Sequence, residues 1–360
     1  MHYIWILVLL FSVTGYSQSE IAHKEKFSEF LNGSSEKSLL ILGENHGTSA
    51  GAKVYAPLVM YLNQQAGVTS LLVEFGPAEA YFYNRYLESG DEKHLNYTVY
   101  AGAIKEWRDA WRKIYNYNKS LEEPLVVKGI DFDRTRTFAY AFFSIVMQYE
   151  YPPAFLDGLL KEIRSAEFFN TYTVGYPSKK DIEWMTKTKK LLINNRDSLY
   201  SFISTKDKWI LDEMLNNEAL SFAEGREEAI TKNTMRIIEN SDKRDFFLLI
   251  GRSHAYLDPL FGEANPLAKA LSDSSAIRLL TGIQLYENSE LTSTQNKPII
   301  LFEITDKTPW SKYHRAIMRK GDDSEFTIIR LVQNLKPLAK HVDYIMVSKN
   351  QKPYKLLNAQ

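Results

Sequence analysis

Short apolar runs that stop at a polar residue recur along the chain. Ser38–Leu42 (SLLIL) stops at Gly43-Glu44, and Thr69–Val73 (TSLLV) stops at Glu74. Leu125–Ile130 (LVVKGI) stops at Asp131, and Phe246–Ile250 (FFLLI) at Gly251-Arg252-Ser253-His254. Pro298–Glu303 (PIILFE) and Tyr344–Val347 (YIMV) have the same character. Continuous apolar runs of this length, bounded by turn signals, predict strands buried on both faces. Between them, apolar residues recur at helical spacing over 52–66, 77–88 and 101–117. From 134 to about 240 no run reads as a strand, and helices are predicted over 135–149, 153–168, 180–203 and 206–240. Strands alternating with helices predict an α/β fold: a mainly parallel central sheet flanked by helices. The 134–240 stretch is then a helical insertion that caps the sheet. No repeat or low-complexity linker divides the chain, so 18–360 reads as a single domain.

Composition narrows the chemistry. The 360 residues carry 44 basic and 44 acidic side chains, which gives no electrostatic case for nucleic acid or an anionic membrane surface. With no cysteine there is no disulfide, thiolate metal site, cysteine nucleophile or lipoprotein anchor. Tyr3–Val13 is an apolar run of signal-peptide length, followed by the small residues Gly15 and Ser17. This predicts a signal peptide over 1–17, cleavage after Ser17, and a periplasmic or secreted product. No later segment is long and apolar enough to anchor that product in a membrane.

In open α/β sheets, ligands bind beyond the carboxyl ends of the strands. Parallel strands would bring Glu44, His46, Glu74, Asp131, Arg252 and His254 to one such edge. Gly43 and Gly47 allow a tight turn around Glu44-Asn45-His46. His46 has the side chain for general acid–base work near neutral pH, and Glu44 or Glu74 can orient it. Glu74, after four apolar residues, needs a cationic partner to offset burial, and Arg252 is a candidate. Arg252 and His254 together suit an oxyanion. Each residue also has a plainer role available: Asn45 or Thr48 as a helix cap with His46 packed nearby, Glu74 in a structural ion pair, Asp131 as a cap. The chain lacks G-x-S-x-G, H-E-x-x-H, G-x-G-x-x-G and a P-loop. Water activated by histidine and glutamate is therefore the natural nucleophile.

At these residues the chain resembles the erythromycin esterase-like family, within a wider group that includes ChaN-type haem-binding proteins. The resemblance is carried by LLILGENHGT, GVTSLLVEFGPAEAYFYNRYLESGD, EWRDAWRKIYNYN, VVKGIDF, GREEAITKNTMRIIEN and FFLLIGRSHAYLD, over about 36–260. It implies an active site of Glu44, His46, Glu74 and His254, with Arg226 and Asn233 brought to it by one helix. It also implies metal-independent ester hydrolysis with His46 as general base. Two positions depart from the esterases. One residue, Asn45, separates Glu44 from His46 where two are common, a spacing closer to the ChaN-type members. Gly251 stands where the esterases often have a histidine.

The leading expectation is an exported hydrolase of an ester or lactone. It has catalytic Glu44, His46, Glu74, Arg252 and His254, substrate contacts from Asp131, Arg226 and Asn233, and no metal or cofactor. A haem- or small-ligand-binding protein and a divalent-metal hydrolase using His46, Glu74 and His254 stay open. The expected partner is a small-molecule substrate. Oligomeric state and substrate identity have no readable code.

Overall fold

The apolar runs pair into one eight-stranded sheet in a computed structural model. The structure describes residues 21–23, 36–172, 175–219, 225–258, 265–274, 277–292, 298–301, 313, 317, 326–331 and 337–357. Its strands are β1 (Ile21–His23), β2 (Ser38–Glu44), β3 (Ser70–Val73), β4 (Val126–Gly129) and β5 (Asp245–Gly251). They continue with β6 (Arg278–Glu287), β7 (Ser289–Thr292), β8 (Pro298–Leu301), β9 (Phe326–Arg330) and β10 (Tyr344–Lys349). The order across the sheet is β1-β9-β10-β6-β2-β5-β3-β4. All neighbours are parallel except β9 and β10. The predicted α/β class, with a mostly parallel sheet between helices, is what the chain forms.

Both faces of the central strands are buried, which is why their sequences are apolar without alternation. On β2, Leu40 and Leu42 join one core while Leu39 and Ile41 join the other. On β5, Phe247 and Leu249 face the first core, and Phe246, Leu248 and Ile250 the second. Burying one such side chain stabilises by roughly 1.5–3 kcal/mol, so a one-residue slip of either strand would disturb both cores together. The first core is covered by α1 (Ala50–Ala66), α2 (Pro77–Ser89), α3 (Val99–Ala103) and α4 (Lys105–Asn118). The second is covered by α11 (Arg226–Asn240) and α12 (Leu267–Ser274).

Between β4 and β5 run α5 (Thr135–Val146), α6 (Asp157–Ile163), α7 (Ala166–Thr171), α8 (Lys179–Asn194), α9 (Arg196–Phe202), α10 (Thr205–Leu215) and then α11. Most of them close on a third core that includes Phe138, Phe142 and Trp184, against Tyr81 and Phe82 of α2.

Several local outcomes differ from expectation: the helices expected over 153–168, 180–203 and 206–240 are each interrupted. The helix expected over 101–117 is broken at Ile104, which is extended and bridges Leu356. PIILFE does not join the main sheet: Pro298–Leu301 pairs with β7, and 302–303 lie outside the described residues. A central strand, β6, was not anticipated. Its Thr281 and Gln284 look like surface residues in sequence yet are fully buried. Asp343 satisfies Thr281, and the Tyr286 hydroxyl donates to Gln284. No helix among the described residues is long and apolar enough to cross a membrane. The run Tyr3–Val13 and the cleavage point after Ser17 lie outside the described residues.

Candidate active site

The sheet order places β2, β5, β3 and β4 side by side. Glu44 is in register with Gly251, Val73 with Leu249 and with Gly129. The carboxyl ends of four adjacent strands therefore present Glu44 and His46, Gly251 to His254, Glu74, and Asp131 in that order.

Their side chains form a chain of alternating carboxylates and imidazoles. Glu44 Oε1 is 3.1 Å from His46 Nδ1, and His46 Nε2 is 3.4 Å from Glu74 Oε2. Glu74 Oε1 is 3.3 Å from His254 Nε2, and His254 Nδ1 is 2.5 Å from Glu227 Oε1. Glu74 also accepts from the Gly251 backbone N–H at 2.7 Å. Gly251 leaves room for this crossing, since a Cβ there would lie 3.0 Å from His46 Nε2. His46 is the most exposed member: its side chain is 44% exposed, against 3% for Glu44, 12% for Glu74, 7% for His254 and 27% for Glu227.

Burial alone would make each ion costly, so the pairing decides the charges. Burial pulls the His46 imidazole down, but its bonds to Glu44 and Glu74 outweigh this and hold it well above the ordinary value. Burial acts on Glu74 in the opposite sense, and the two histidines hold it well below the usual carboxylate range. Glu44 is pushed up by burial, only partly opposed by His46. Against burial, Glu227 and Glu74 raise His254 to about 9. These groups titrate as one coupled set.

The sign of the pH dependence follows. Folded His254 keeps its proton up to about pH 9, against 6.5 for the free side chain. The stability from its ion pairs is complete below the lower value and is lost as pH rises through the higher one. His254→Gln is therefore expected to lower the melting temperature much more near pH 6 than near pH 10. An equal loss at both would mean that the pairing is absent.

Arg226 fixes the far side. It opens α11 and donates Nε and Nη2 to Asp131 at 3.1 and 2.5 Å, and Nη2 to Glu74 at 3.0 Å. A cation at a helix N-terminus opposes the helix dipole, and the two carboxylates offset that. The expectation that Arg252 neutralises Glu74 is corrected: the guanidinium on Glu74 is that of Arg226. Arg252 begins a 3-10 turn after β5, its α-carbon close to Gly43, where a Cβ would lie 2.9 Å away. Asp131, expected to meet substrate, is 3% exposed and holds Arg226 instead. Asn233 is likewise corrected. Its amide donates to Ile130 O and Asn217 Oδ1 and accepts from Glu218 N, and the residue is 1% exposed. It ties α11 to the end of β4. His254, expected on an oxyanion, has a carboxylate beside each ring nitrogen.

Residues the sequence did not mark complete the site. Glu227 is one. Gly51, in the first turn of α1, is another. An added Cβ there would sit 1.4 Å from Glu44 Oε2. Alanine usually stabilises a helix by roughly 0.5–1 kcal/mol over glycine. Here it must displace the carboxylate that holds His46. Gly51→Ala is expected to reduce turnover by on the order of a hundredfold, without the usual gain in melting temperature. A stabilised and fully active variant would refute this placement. Gly47, at φ 100°, supplies the left-handed turn after His46. Beside His46, a cleft is walled by Phe75, Tyr100 and Trp107, with the Tyr100 ring 6.0 Å from the imidazole. Among the described residues, no group of three or more acidic or histidine side chains is arranged to hold a metal ion.

No family model matches the chain, and no curated protein matches it in sequence. In three dimensions it is similar to a Bacillus cereus protein, with a TM-score of 0.61 and 14% identity over 89% of this chain and 90% of that one. It is similar to an erythromycin esterase, EreC, solved as a histidine-to-asparagine variant in its open conformation. That match has a TM-score of 0.61 and 15% identity over 93% of this chain and 97% of the esterase. A succinoglycan biosynthesis protein gives a TM-score of 0.61 and 12% identity over 91% of both chains. At these identities the likeness is one of fold, and the fold is erythromycin esterase-like.

Proposed function

We propose that the chain is an exported hydrolase of the erythromycin esterase-like family that cleaves an ester or lactone with activated water. One observation carries the proposal: His46, held between Glu44 and Glu74, is the most exposed member of the carboxylate–imidazole chain. Its Nδ1 is fixed by Glu44, while its Nε2 contact to Glu74 is loose, beyond the roughly 3.2 Å limit of a good N–H···O bond. A water beside Nε2 meets both a base and a carboxylate. Nε2 takes a proton from that water, and the hydroxide adds to the acyl carbon. The tetrahedral intermediate then expels the alkoxide, which takes the proton back from His46. The products are an acid and an alcohol, with no covalent intermediate. Glu44 orients His46, Glu74 holds both histidines, and Arg226 with Asp131 keeps Glu74 in place. The fold shared with an erythromycin esterase supports the same reading.

Haem binding and metal-dependent hydrolysis would call on an imidazole nitrogen of the same site, and at His254 both ring nitrogens lie beside carboxylates. The test is a panel of esters and lactones, with and without chelator, beside a haem absorbance titration. Turnover that survives chelation is the expected result. Stoichiometric haem without turnover would make the chain a binding protein. Activity lost on chelation and restored by zinc would make it a metallohydrolase.

A further inference from the structure

We propose that the acyl group of the substrate is short, acetyl or propionyl, and that it seats in an aromatic cavity running inward from His46. The proposal rests on the hydrolase reading above and deepens it. It narrows the substrate from esters and lactones at large to short-acyl esters of a larger alcohol.

One cavity holds both the reacting groups and a buried apolar recess. Its reacting end carries Glu44, His46 and Glu74, beside the partly buried Phe75 and Tyr100. Its inner part is lined by Tyr55, Val73, Tyr83, Trp107, Trp111 and Leu249, each at most 8% exposed. These side chains converge from separate elements. Val73 and Leu249 are register partners on β3 and β5, Tyr55 comes from α1, Tyr83 from α2 and both tryptophans from α4. The Tyr83 ring stacks on Trp111 at 4.1 Å, and Tyr55 tilts against Trp107 and Trp111 at 5.5 and 5.7 Å. Rings packed against one another in this way give the recess a fixed depth.

The space is small. Its volume is about 30 Å³, and a single water needs roughly 10–15 Å³ of such space, so about two water-sized groups fit. A methyl or ethyl tail matches that volume. The chain of a longer acyl ester or the ring of a macrolactone does not. The reaction itself orients the ester. The departing alkoxide takes its proton from His46 Nε2, and His46 is the most exposed member of the site. The alcohol therefore lies on the solvent side, where its size is unconstrained, and the acyl tail points inward. Hydroxide adds to the carbonyl carbon, the C–O bond to the alcohol breaks, and the acid that forms loses its proton to water. An apolar recess cannot solvate the resulting carboxylate, and Glu44 and Glu74 at the reacting end favour its departure.

Two ester series test this. One varies the acyl group, from para-nitrophenyl acetate through propionate and butyrate to hexanoate. The other keeps the acetyl group and varies the alcohol from methyl to hexyl. In the first, kcat/KM should fall by about tenfold or more for each methylene beyond propionate. In the second it should change little. A flat acyl series would overturn the proposal, and so would a fall that follows the alcohol instead. Leu249→Ala deepens the recess, and Val73→Ala does so more mildly, should the first variant fail to fold. Either should raise the butyrate-to-acetate ratio of kcat/KM by about tenfold or more. A purely structural loss would lower both esters together, and an unmoved ratio would overturn the proposal. A folded wild-type chain inert on every ester of both series would overturn the hydrolase reading itself, and this one with it.

Discussion

His46→Ala is expected to lose turnover by about a hundred- to ten-thousand-fold, the range for removing a positioned base, with the fold intact. The side chain is 44% exposed, so its removal opens no core cavity. It does free Glu44, which can take up a proton because burial already favours its neutral form. The same pairing predicts the wild-type pH profile. A base whose proton is held well above the ordinary imidazole value must lose it before it can accept one from water. The rate should therefore keep rising with pH beyond neutrality, with its acid limb well above 6.5. A plateau already reached at pH 6 would show that Glu44 and Glu74 do not hold His46 in solution. An active alanine variant would remove His46 from the mechanism.

The largest expected effect on stability is that of Arg226→Met. The arginine is 9% exposed and bonds two carboxylates that are themselves buried. Methionine fills similar space but leaves Asp131 without its cation and takes one of three from Glu74, which keeps the two histidines. Breaking one partner out of a buried ion pair destabilises by about 3–5 kcal/mol. Pairing the change with Asp131→Asn removes the stranded charge, so the double variant should recover part of the loss. Denaturant unfolding of the four chains measures the coupling. Additive losses would mean that the two side chains do not interact.

The parts of the site legible in sequence are those placed by the strands themselves. An apolar run that stops at Glu44, Glu74, Asp131 or Gly251 declares its carboxyl end, and parallel pairing does the rest. His46 and His254 follow two of those ends by a turn each. What was not legible comes from elements that approach the edge from the side. Residue types alone could not decide which guanidinium meets Glu74, because Arg226 arrives on a helix after the long insertion. The resemblance to a family placed Arg226 at the site, but it also placed Asn233 there, which the structure buries in a separate network. Glu227 looked like an ordinary first-turn acid. Gly51 looked like a weak helix residue, and its use appears only where Glu44 meets it. In β6, polar residues satisfied by Asp343 and Tyr286 hid a central strand.

The position of β5 has a consequence for how the molecule is made. β2 and β3 follow one another in the chain, yet they never pair, because β5 lies between them. A slot about one strand wide, near 10 Å from β2 to β3, must stay open until Asp245–Gly251 arrives. At a synthesis rate of roughly 5–20 residues per second, that wait is on the order of ten seconds or more. During it the nascent chain exposes two apolar strand edges that invite foreign pairing. Gly251 and His254 arrive with β5, so the event that joins β2 to β3 also brings the second imidazole to the carboxyl edge.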